Sequence, residues 1–144
     1  MTGSRGRTLA IVQARTSSTR LPGKVLKPLA GAPMILRQLE RVSRARTLDG
    51  VVVATSNDPS DDELAAVLTN AGYDIVRGSL EDVLDRFNLV VDRHQPDVVV
   101  RITADCPLIS PSVIDLVVER FHSTTADYVP TPCNRPTLTA WTWR

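Results

Sequence analysis

Residues 9–24 read LAIVQARTSSTRLPGK, an apolar run that leads directly into a polar loop. The apolar residues 9–12 predict a strand covered on both faces, because a strand with one face in water alternates apolar and polar residues. The loop that follows carries three cations, Arg15, Arg20 and Lys24, together with four hydroxyl side chains. Ligands of parallel sheets bind beyond the carboxyl ends of the strands, so this loop is the first place where a binding site is expected.

The remainder of the chain alternates short apolar runs with helical patterns. Further strands are predicted at residues 51–54, 74–76 and 98–102. Apolar residues recur at helical spacing in four segments: Ile35, Leu39 and Val42; Leu64, Val67, Leu68 and Ala71; Val83, Leu84, Phe87, Val90 and Val91; Val113, Ile114, Val117, Val118 and Phe121. This alternation predicts an α/β fold, a Rossmann-like arrangement of three layers around a mostly parallel sheet.

Capping signals predict where two of these helices begin. Ser60 with Glu63 has the spacing of a capping box at the start of the second helix. Ser79 precedes Glu81 and Asp82, which are predicted in the first turn of the third helix.

Composition limits the class of protein. The chain has 144 residues, a formal net charge of +1 and 4% aromatic residues. That length fits one globular domain, and the balanced charge with few aromatics argues against a general nucleic-acid partner. Cys106 and Cys133, without an apolar leader after Met1, predict a reduced cytoplasmic protein that lacks a disulfide framework. No apolar run reaches membrane-spanning length, so no membrane partner is expected.

The polar loop after the first strand has the chemistry of a polyphosphate site. Arg15, Arg20 and Lys24 can converge on several phosphates, while hydroxyls and main-chain N–H groups supply uncharged donors. The loop is not a Walker A motif, because Val25 follows Lys24 where that motif has Ser or Thr, and it is not a GxGxxG turn. A solvated surface loop explains the same charges, and the residues alone leave that alternative open.

Asp105 follows the fourth predicted strand. A single carboxylate there can hold a divalent cation on substrate phosphates, since Mg²⁺ usually takes one or two carboxylates and keeps several waters. The alternative is that Asp105 caps a turn before Pro107. Cys106 is interpreted as a packing residue, both histidines are predicted at helix surfaces, and the scattered Cys and His residues predict no zinc site.

The loop, continued through Leu26, Leu29, Gly31 and Pro33, resembles the N-terminal signature of the cytidylyltransferase-type sugar nucleotidyltransferases. These include the acylneuraminate and 3-deoxy-manno-octulosonate cytidylyltransferases, and the spore coat polysaccharide biosynthesis branch is the most similar. In that family an Ala-Arg-x-x-Ser-x-Arg-x-x-x-Lys pattern wraps the CTP triphosphate. The matching residues here are Ala14, Arg15, Ser18, Arg20 and Lys24, with Ser17 as the alternative serine.

The resemblance implies transfer of CMP from CTP to a sugar for surface polysaccharide or glycoconjugate synthesis, with release of pyrophosphate. Such a reaction needs no protein nucleophile, and positioning and charge stabilisation are the work of the protein. Arg15 and Lys24 are then the catalytic clamps on the leaving pyrophosphate, with Lys24 next to most of the developing charge.

Two other segments also match family elements. Asp105 matches the metal-binding aspartate of an Asp-x-Pro signature, which implies Mg²⁺ as the cofactor, and Arg101 and Thr103 lie where the family contacts the base or ribose. Residues 76–83, VRGSLEDV, resemble an Arg-Gly-Ser-x-x-Asp element near the cytosine, although a strand end and a capped helix explain them almost as well. The residues carried over from that element are Arg77, Ser79 and Asp82.

Three other functions are alternatives to this one. One is a nucleotidyltransferase for another base or acceptor. Another is a catalytically inactive fragment that only binds the nucleotide. A dinucleotide oxidoreductase is the poorest, because the glycine fingerprint is missing.

The resemblance covers about residues 8–129, the nucleotide half of such an enzyme. The half that binds the sugar, through which family members often form homodimers, is built from later residues. Residues 130–144 differ in character, with Pro130, Pro132 and Pro136 interrupting any strand. Both tryptophans, Trp141 and Trp143, fall in the last four residues.

We interpret this tail as the product of a reading frame that shifts near Val129. Family members continue with Tyr-Pro-Asp-Gly-Leu-Asp-Val-Glu, and codons permitted for residues 136–144 spell that sequence when read from the third base of the Pro136 codon. We therefore expect residues 1–129 to form the nucleotide-binding domain and residues 130–144 an irregular, non-native tail beside an exposed sheet edge. Sugar activation is then expected to be weak or absent, and the nucleotide sequence of the gene tests the shift.

Overall fold

Short β-branched runs build a central sheet in the computed structural model, which describes residues 6–131 and the backbone of Thr142–Trp143. The strands are β1 (Thr8–Gln13), β2 (Pro28–Leu29), β3 (Ala32–Pro33), β4 (Gly50–Ser56), β5 (Asp74–Gly78), β6 (Val98–Thr103) and β7 (Thr142–Trp143). The helices are α1 (Met34–Val42), α2 (Asp62–Asn70), α3 (Val83–His94) and α4 (Pro111–His122). The predicted α/β alternation is confirmed.

The five-stranded sheet has the order β5-β4-β1-β6-β7. β1 pairs in parallel with both β4 and β6, so that Gln13 lies opposite Ala54 on one side and Thr103 on the other. The strand order reverses at β1, because the chain builds outward to β5 and then returns to β6. Loops on either side of such a reversal leave a crevice at the carboxyl edge of the sheet.

The core lies on both faces of β1. Ala10 and Val12 pack with α1, α2 and α4, whereas Leu9 and Ile11 pack on the opposite face with α3. All four side chains are buried, which confirms a strand covered on both faces. Burying one side chain of this type stabilises the fold by about 1.5–3 kcal/mol, so β1 firmly anchors the loop that follows it.

Both predicted capping arrangements are wrong in detail. The Asp58 carboxylate accepts from the Ser60 N–H at 2.9 Å and caps a 3₁₀ turn, Pro59–Asp61, so that α2 begins only at Asp62. The reason is Pro59, whose fixed φ starts a turn before the helix. At α3 the N-cap is Asp82, which accepts from the Asp85 N–H at 3.0 Å, and the helix begins after it.

Two further features differ from the predictions. The hairpin of β2 and β3, with left-handed Ala30 and Gly31 at its turn, carries no alternating pattern that would have indicated it. His94 was predicted at a surface, but its side chain is only 14% exposed and lies 3.3 Å from Asp74.

No helix in the described ranges has the length and apolar character needed to cross a bilayer.

The sheet edge at β6 was expected to be exposed. Part of that expectation is wrong, because Thr142–Trp143 pairs antiparallel with Val99 and Val100. Residues 132–141 lie outside the described residues, and the division of the chain at residue 129 stays a prediction.

Candidate functional site

A polar cleft of about 250 Å³ opens where β1 and β6 end. Its lining comes from the end of β1 with the loop after it and from the end of β6 with the residues after it: Gln13, Ala14, Arg15, Ser18, Thr19, Arg20, Lys24 and Val25, and Thr103, Ala104 and Asp105. The structure therefore brings together seven of the predicted site residues: Ala14, Arg15, Ser18, Arg20, Lys24, Thr103 and Asp105. Ser17 is exposed and lies outside this lining, which favours Ser18 as the serine of the motif.

Both loops leave the sheet at the same level. The Ala14 N–H donates to the Ala54 carbonyl at 3.0 Å, and the Ala104 N–H donates to the Gln13 carbonyl at 3.0 Å. These bonds continue the parallel ladder by one residue beyond each strand. The starting points of the two loops are consequently held as firmly as the strands themselves.

Residues 14–24 form the cation loop. One carbonyl, that of Thr16, holds the two ends of its turn together. The Thr16 carbonyl accepts from the Ser18 N–H at 2.8 Å and from the Gly23 N–H at 2.9 Å. Gly23 has φ +66°, a left-handed conformation that glycine adopts without a steric penalty. The chain then enters a 3₁₀ turn, Lys24–Leu26, with Val25 buried in the core, and this turn presents Lys24 to the cleft.

A buried carboxylate that sequence analysis missed anchors the cation loop. Asp61 accepts from the Thr16 N–H at 2.7 Å and lies 2.8 Å from the Thr16 hydroxyl. Its other oxygen accepts from the Ser56 N–H and the Thr55 hydroxyl, each at 3.2 Å, and from the Ser56 hydroxyl. Burial raises the pKa of Asp61, but these hydrogen bonds outweigh it and hold the pKa below its usual value.

The Asp105 side of the cleft is fixed by its own hydrogen bonds. Asp105 is exposed, and its carboxylate accepts from the Thr103 hydroxyl at 2.6 Å. The Thr103 carbonyl accepts from the amide of Gln38, a fully buried side chain of α1, at 2.8 Å. A glutamine within an otherwise apolar helix face was the signal that could have identified this contact.

Among residues 6–131, Asp105 is not part of an acidic cluster. Within the described residues no three His, Cys, Asp or Glu side chains are grouped so that they could hold a metal ion. Cys106 packs against the main core as a half-buried free thiol, in agreement with its interpretation as a packing residue. Any metal here would depend on one carboxylate and on groups that a ligand supplies.

Arg77, Ser79 and Asp82 lie at the end of β5 and hydrogen-bond within the chain. Arg77 donates to the Ser56 carbonyl at 2.7 Å and to the Asp62 carboxylate at 2.7 Å. The Ser79 hydroxyl accepts from the Asp82 N–H at 3.1 Å, and Asp82 caps α3. Contact of these three residues with a ligand stays a prediction.

Arg101 lies on the α3 face of the sheet and does not line the polar cleft. It donates to the Gln13 side chain at 3.2 Å and stacks 5.6 Å from the centre of the Phe87 ring. It also borders an apolar groove of about 540 Å³ between α3 and β6. Its position near a base or ribose stays a prediction.

Arg86 is a second buried ionic group that sequence analysis missed. Its guanidinium donates to the Leu80 carbonyl at 2.9 Å and to the Ser79 carbonyl, tying the β5–α3 connection to the helix. Two of its nitrogens have no hydrogen-bond partner in the part of the chain that the structure describes. Burial, and then the charge of Arg15, lower the pKa of Arg86. Arg86 lies three residues after Val83, on the apolar face of α3. Nothing in the sequence pattern distinguishes it from other helix residues, so its burial was not predicted.

The arrangement suits an anionic ligand with several phosphates. Three cations from one loop face the single carboxylate of the other across the same cleft. Guanidinium and ammonium groups form charge-assisted hydrogen bonds with phosphate oxygens, and main-chain N–H groups of a polar loop add to them.

Comparison with known proteins agrees with this chemistry. A sequence model of the cytidylyltransferase family matches residues 9–137. The spore coat polysaccharide biosynthesis protein SpsF of Bacillus subtilis is 39% identical over 124 residues, which cover 83% of this chain and 52% of SpsF. The 3-deoxy-manno-octulosonate cytidylyltransferase of Zea mays is 40% identical over 126 residues, which cover 81% of this chain and 39% of that enzyme.

A solved structure gives the same result for the fold. The structure of a cytidylyltransferase from Leptospira borgpetersenii superposes with a TM-score of 0.87 at 28% identity, over 95% of this chain and 60% of that one. The chain spans about half the length of SpsF and a smaller share of the maize enzyme.

Proposed function

The chain belongs to the cytidylyltransferase family, and from this premise we propose that it binds CTP in the polar cleft and transfers CMP from CTP to a sugar. The observation that carries the proposal is the convergence of Arg15, Arg20 and Lys24 on one cleft with Asp105 opposite. A solvated surface loop would not need a buried anchor at Thr16 or a left-handed turn before Lys24. The relatives support a sugar as acceptor, since one acts in spore coat polysaccharide biosynthesis and another is named for 3-deoxy-manno-octulosonate.

The reaction is an in-line displacement at phosphorus. A sugar oxygen attacks the α-phosphorus of CTP, the bond from that phosphorus to the bridging oxygen breaks, and pyrophosphate leaves. Lys24 and Arg15 stabilise the negative charge that develops on the leaving group, and Arg20 holds the remaining phosphate oxygens. The Ser18 hydroxyl and the main-chain N–H groups of the cation loop orient the chain of phosphates.

The donor set at Asp105 fits Mg²⁺. Magnesium is usually bound through one or two carboxylates, substrate phosphates and water, and the cleft offers one exposed carboxylate facing the proposed phosphate site. Asp105 would hold the ion, with the Thr103 hydroxyl orienting its carboxylate. When bound, the ion neutralises phosphate charge and so favours departure of pyrophosphate.

A second candidate is nucleotide binding without sugar activation. The observation in its favour is the coverage of the relatives, since the chain matches only about half of SpsF. Both candidates share the polar cleft and differ in whether the chain by itself turns over.

Calorimetry and a pyrophosphate assay test the proposal together. CTP with Mg²⁺ is expected to bind the chain more tightly than UTP, ATP or GTP, and to raise the melting temperature in proportion to the logarithm of ligand concentration over Kd. Release of pyrophosphate from CTP on addition of an acidic sugar establishes transfer, whereas binding without release supports the second candidate. In the Asp105→Asn variant, CTP binding is expected to lose its dependence on Mg²⁺. Absence of CTP binding by the native chain would overturn both candidates.

A further inference from the structure

We propose that Asp61 is the positioning residue of the cation loop, holding Thr16 so that Ser18 and Lys24 take the places required for a triphosphate. The inference rests on the proposed function for the identity of the ligand. Neither Asp61 nor its partner Thr16 belongs to the lining of the polar cleft. The effect of Asp61 must therefore pass through Thr16.

The carboxylate of Asp61 joins the ends of two neighbouring strands. One oxygen contacts only Thr16, which lies three residues beyond the end of β1. The other oxygen accepts hydrogen bonds from Thr55 and Ser56, the last two residues of β4. A buried charge is costly unless it is fully hydrogen-bonded, and here five contacts from N–H and O–H groups meet the two oxygens. Asp61 is fully buried, so its carboxylate depends on these protein donors for its hydrogen bonds.

Two hydrogen bonds of the Thr16 carbonyl transmit this constraint to the cleft. This carbonyl accepts from the Ser18 N–H at 2.8 Å and from the Gly23 N–H at 2.9 Å. Ser18 lines the cleft directly, and Gly23 immediately precedes Lys24. Rotation of the Thr16 peptide would consequently displace a hydroxyl donor and a cation together. An error of about 1 Å in such a group is enough to weaken a phosphate contact substantially.

The structure also explains why a carboxylate is needed at this place. Asparagine has nearly the same volume but only one acceptor oxygen, and its NH₂ group would face N–H and O–H donors on one of the two sides. The Asp61→Asn variant would keep the packing and lose one of the two sets of hydrogen bonds. The loop and the β4 end would then no longer be held by the same group.

Asp115 provides a matched control. Its buried carboxylate accepts from the Thr47 N–H at 2.9 Å and from the Thr47 hydroxyl at 2.8 Å, the same pair of donors that Thr16 presents to Asp61. Asp115 lies in α4 and does not line the polar cleft. Asp115→Asn therefore perturbs a comparable buried carboxylate–threonine pair at a position away from the cation loop.

The experiment compares Kd values for CTP and CMP by calorimetry, at a temperature where each variant is folded by circular dichroism. Asp61→Asn is expected to raise the Kd for CTP about tenfold and the Kd for CMP less than about twofold, because charge-assisted contacts to the β- and γ-phosphates are lost. Asp115→Asn is expected to change neither. Equal losses for CTP and CMP, or the same loss in Asp115→Asn, would show that Asp61 only stabilises the fold.

A measurement without nucleotide separates this inference from the proposed function. Amide hydrogen exchange at residues 16–23 is expected to accelerate in Asp61→Asn and to match the native rate in Asp115→Asn. If the native chain binds no CTP, the proposed function is wrong, and the exchange rates still decide whether Asp61 holds the loop. Unchanged exchange in Asp61→Asn overturns the inference.

Thr16→Val is the second variant, and it covers the case in which Asp61→Asn fails to fold. It removes the hydroxyl that lies between Asp61 and the Ser60 carbonyl and keeps the N–H that donates to Asp61. A smaller shift in the same direction is expected, both in the CTP-to-CMP ratio and in exchange. No shift in either measurement overturns the inference.

Discussion

Lys24 owes its position to the residue before it. Gly23 supplies the left-handed turn and the N–H that returns to Thr16, and Val25 on the other side is buried in the core. The ammonium group is therefore delivered from a short turn that is fixed at both ends. This pre-organisation distinguishes Lys24 from the exposed Lys27, which lies outside the cleft lining.

Lys24→Ala and Arg15→Ala are expected to weaken CTP binding about tenfold and CMP binding less than about twofold, because these cations should meet the β- and γ-phosphates. Calorimetric titration with both nucleotides measures the difference. Lys27→Ala is the matched control, with an unchanged Kd for CTP. Equal losses for CTP and CMP would contradict the assignment of the two cations to the leaving pyrophosphate.

Helix α3 is secured at its first turn by side chains of its own segment. Asp82 caps it, the Ser79 hydroxyl accepts the N–H of Asp82, and Arg86 donates back to the Leu80 carbonyl. Helix α1 plays a different part, since Gln38 and Arg41 donate to carbonyls of the segment around Asp105. Helix α3 is therefore stabilised within its own segment, whereas α1 stabilises the segment around Asp105.

Asp82→Ala is expected to lower the free energy of unfolding by about 1 kcal/mol, the usual cost of losing an N-cap side chain. Urea denaturation followed by circular dichroism measures this loss. Glu81→Ala is the control, because Glu81 is the exposed neighbour of Asp82 and lies outside the capping hydrogen bonds. A loss in Glu81→Ala as large as that in Asp82→Ala would show that helix propensity, and not the cap, decides the stability here.

In the part of the chain that the structure describes, two buried carboxylates, Asp61 and Asp115, have a lowered pKa. Burial acts to raise the pKa of Asp61 and of Asp115, but hydrogen bonds from Ser56 and Thr16 in one case and from Thr47 in the other lower both values. Asp61 connects the cation loop to β4. Asp115 connects α4 to the segment that leads into β4. Ionisation of these two groups is thus linked to the assembly of the layers around the sheet.

Stability is expected to fall in acid. A group whose folded-state pKa lies below its unfolded value of 3.8 contributes fully above that pH and loses its contribution as the pH falls through the folded value. Urea unfolding at pH values from about 7 down to about 2 should show a constant free energy near neutrality and a decline below about pH 4. The decline should be shallower in Asp115→Asn, and an unchanged slope in that variant would contradict the assignment.

The sequence by itself determined the α/β fold, the four parallel strands and the cation loop at the end of the first of them. It could do so because apolar runs, helical spacing and a motif of eleven residues are local patterns that the chain carries wherever it folds. The grouping of Arg15, Arg20 and Lys24 was predicted for the same reason, since all three belong to one loop. Their contact with CTP stays a prediction.

Only the tertiary structure decided what holds that loop and the segment opposite. Thr16 meets Asp61 across 45 residues, and Gln38 meets Thr103 across 65. Parallel strands place their ends side by side in space, whereas the crossover helices between them separate those ends widely in sequence. Nothing in the sequence distinguishes Asp61 from its neighbours Asp58 and Asp62. Its carboxylate reaches Thr16 because the strand order β4-β1-β6 places the ends of β4 and β1 side by side.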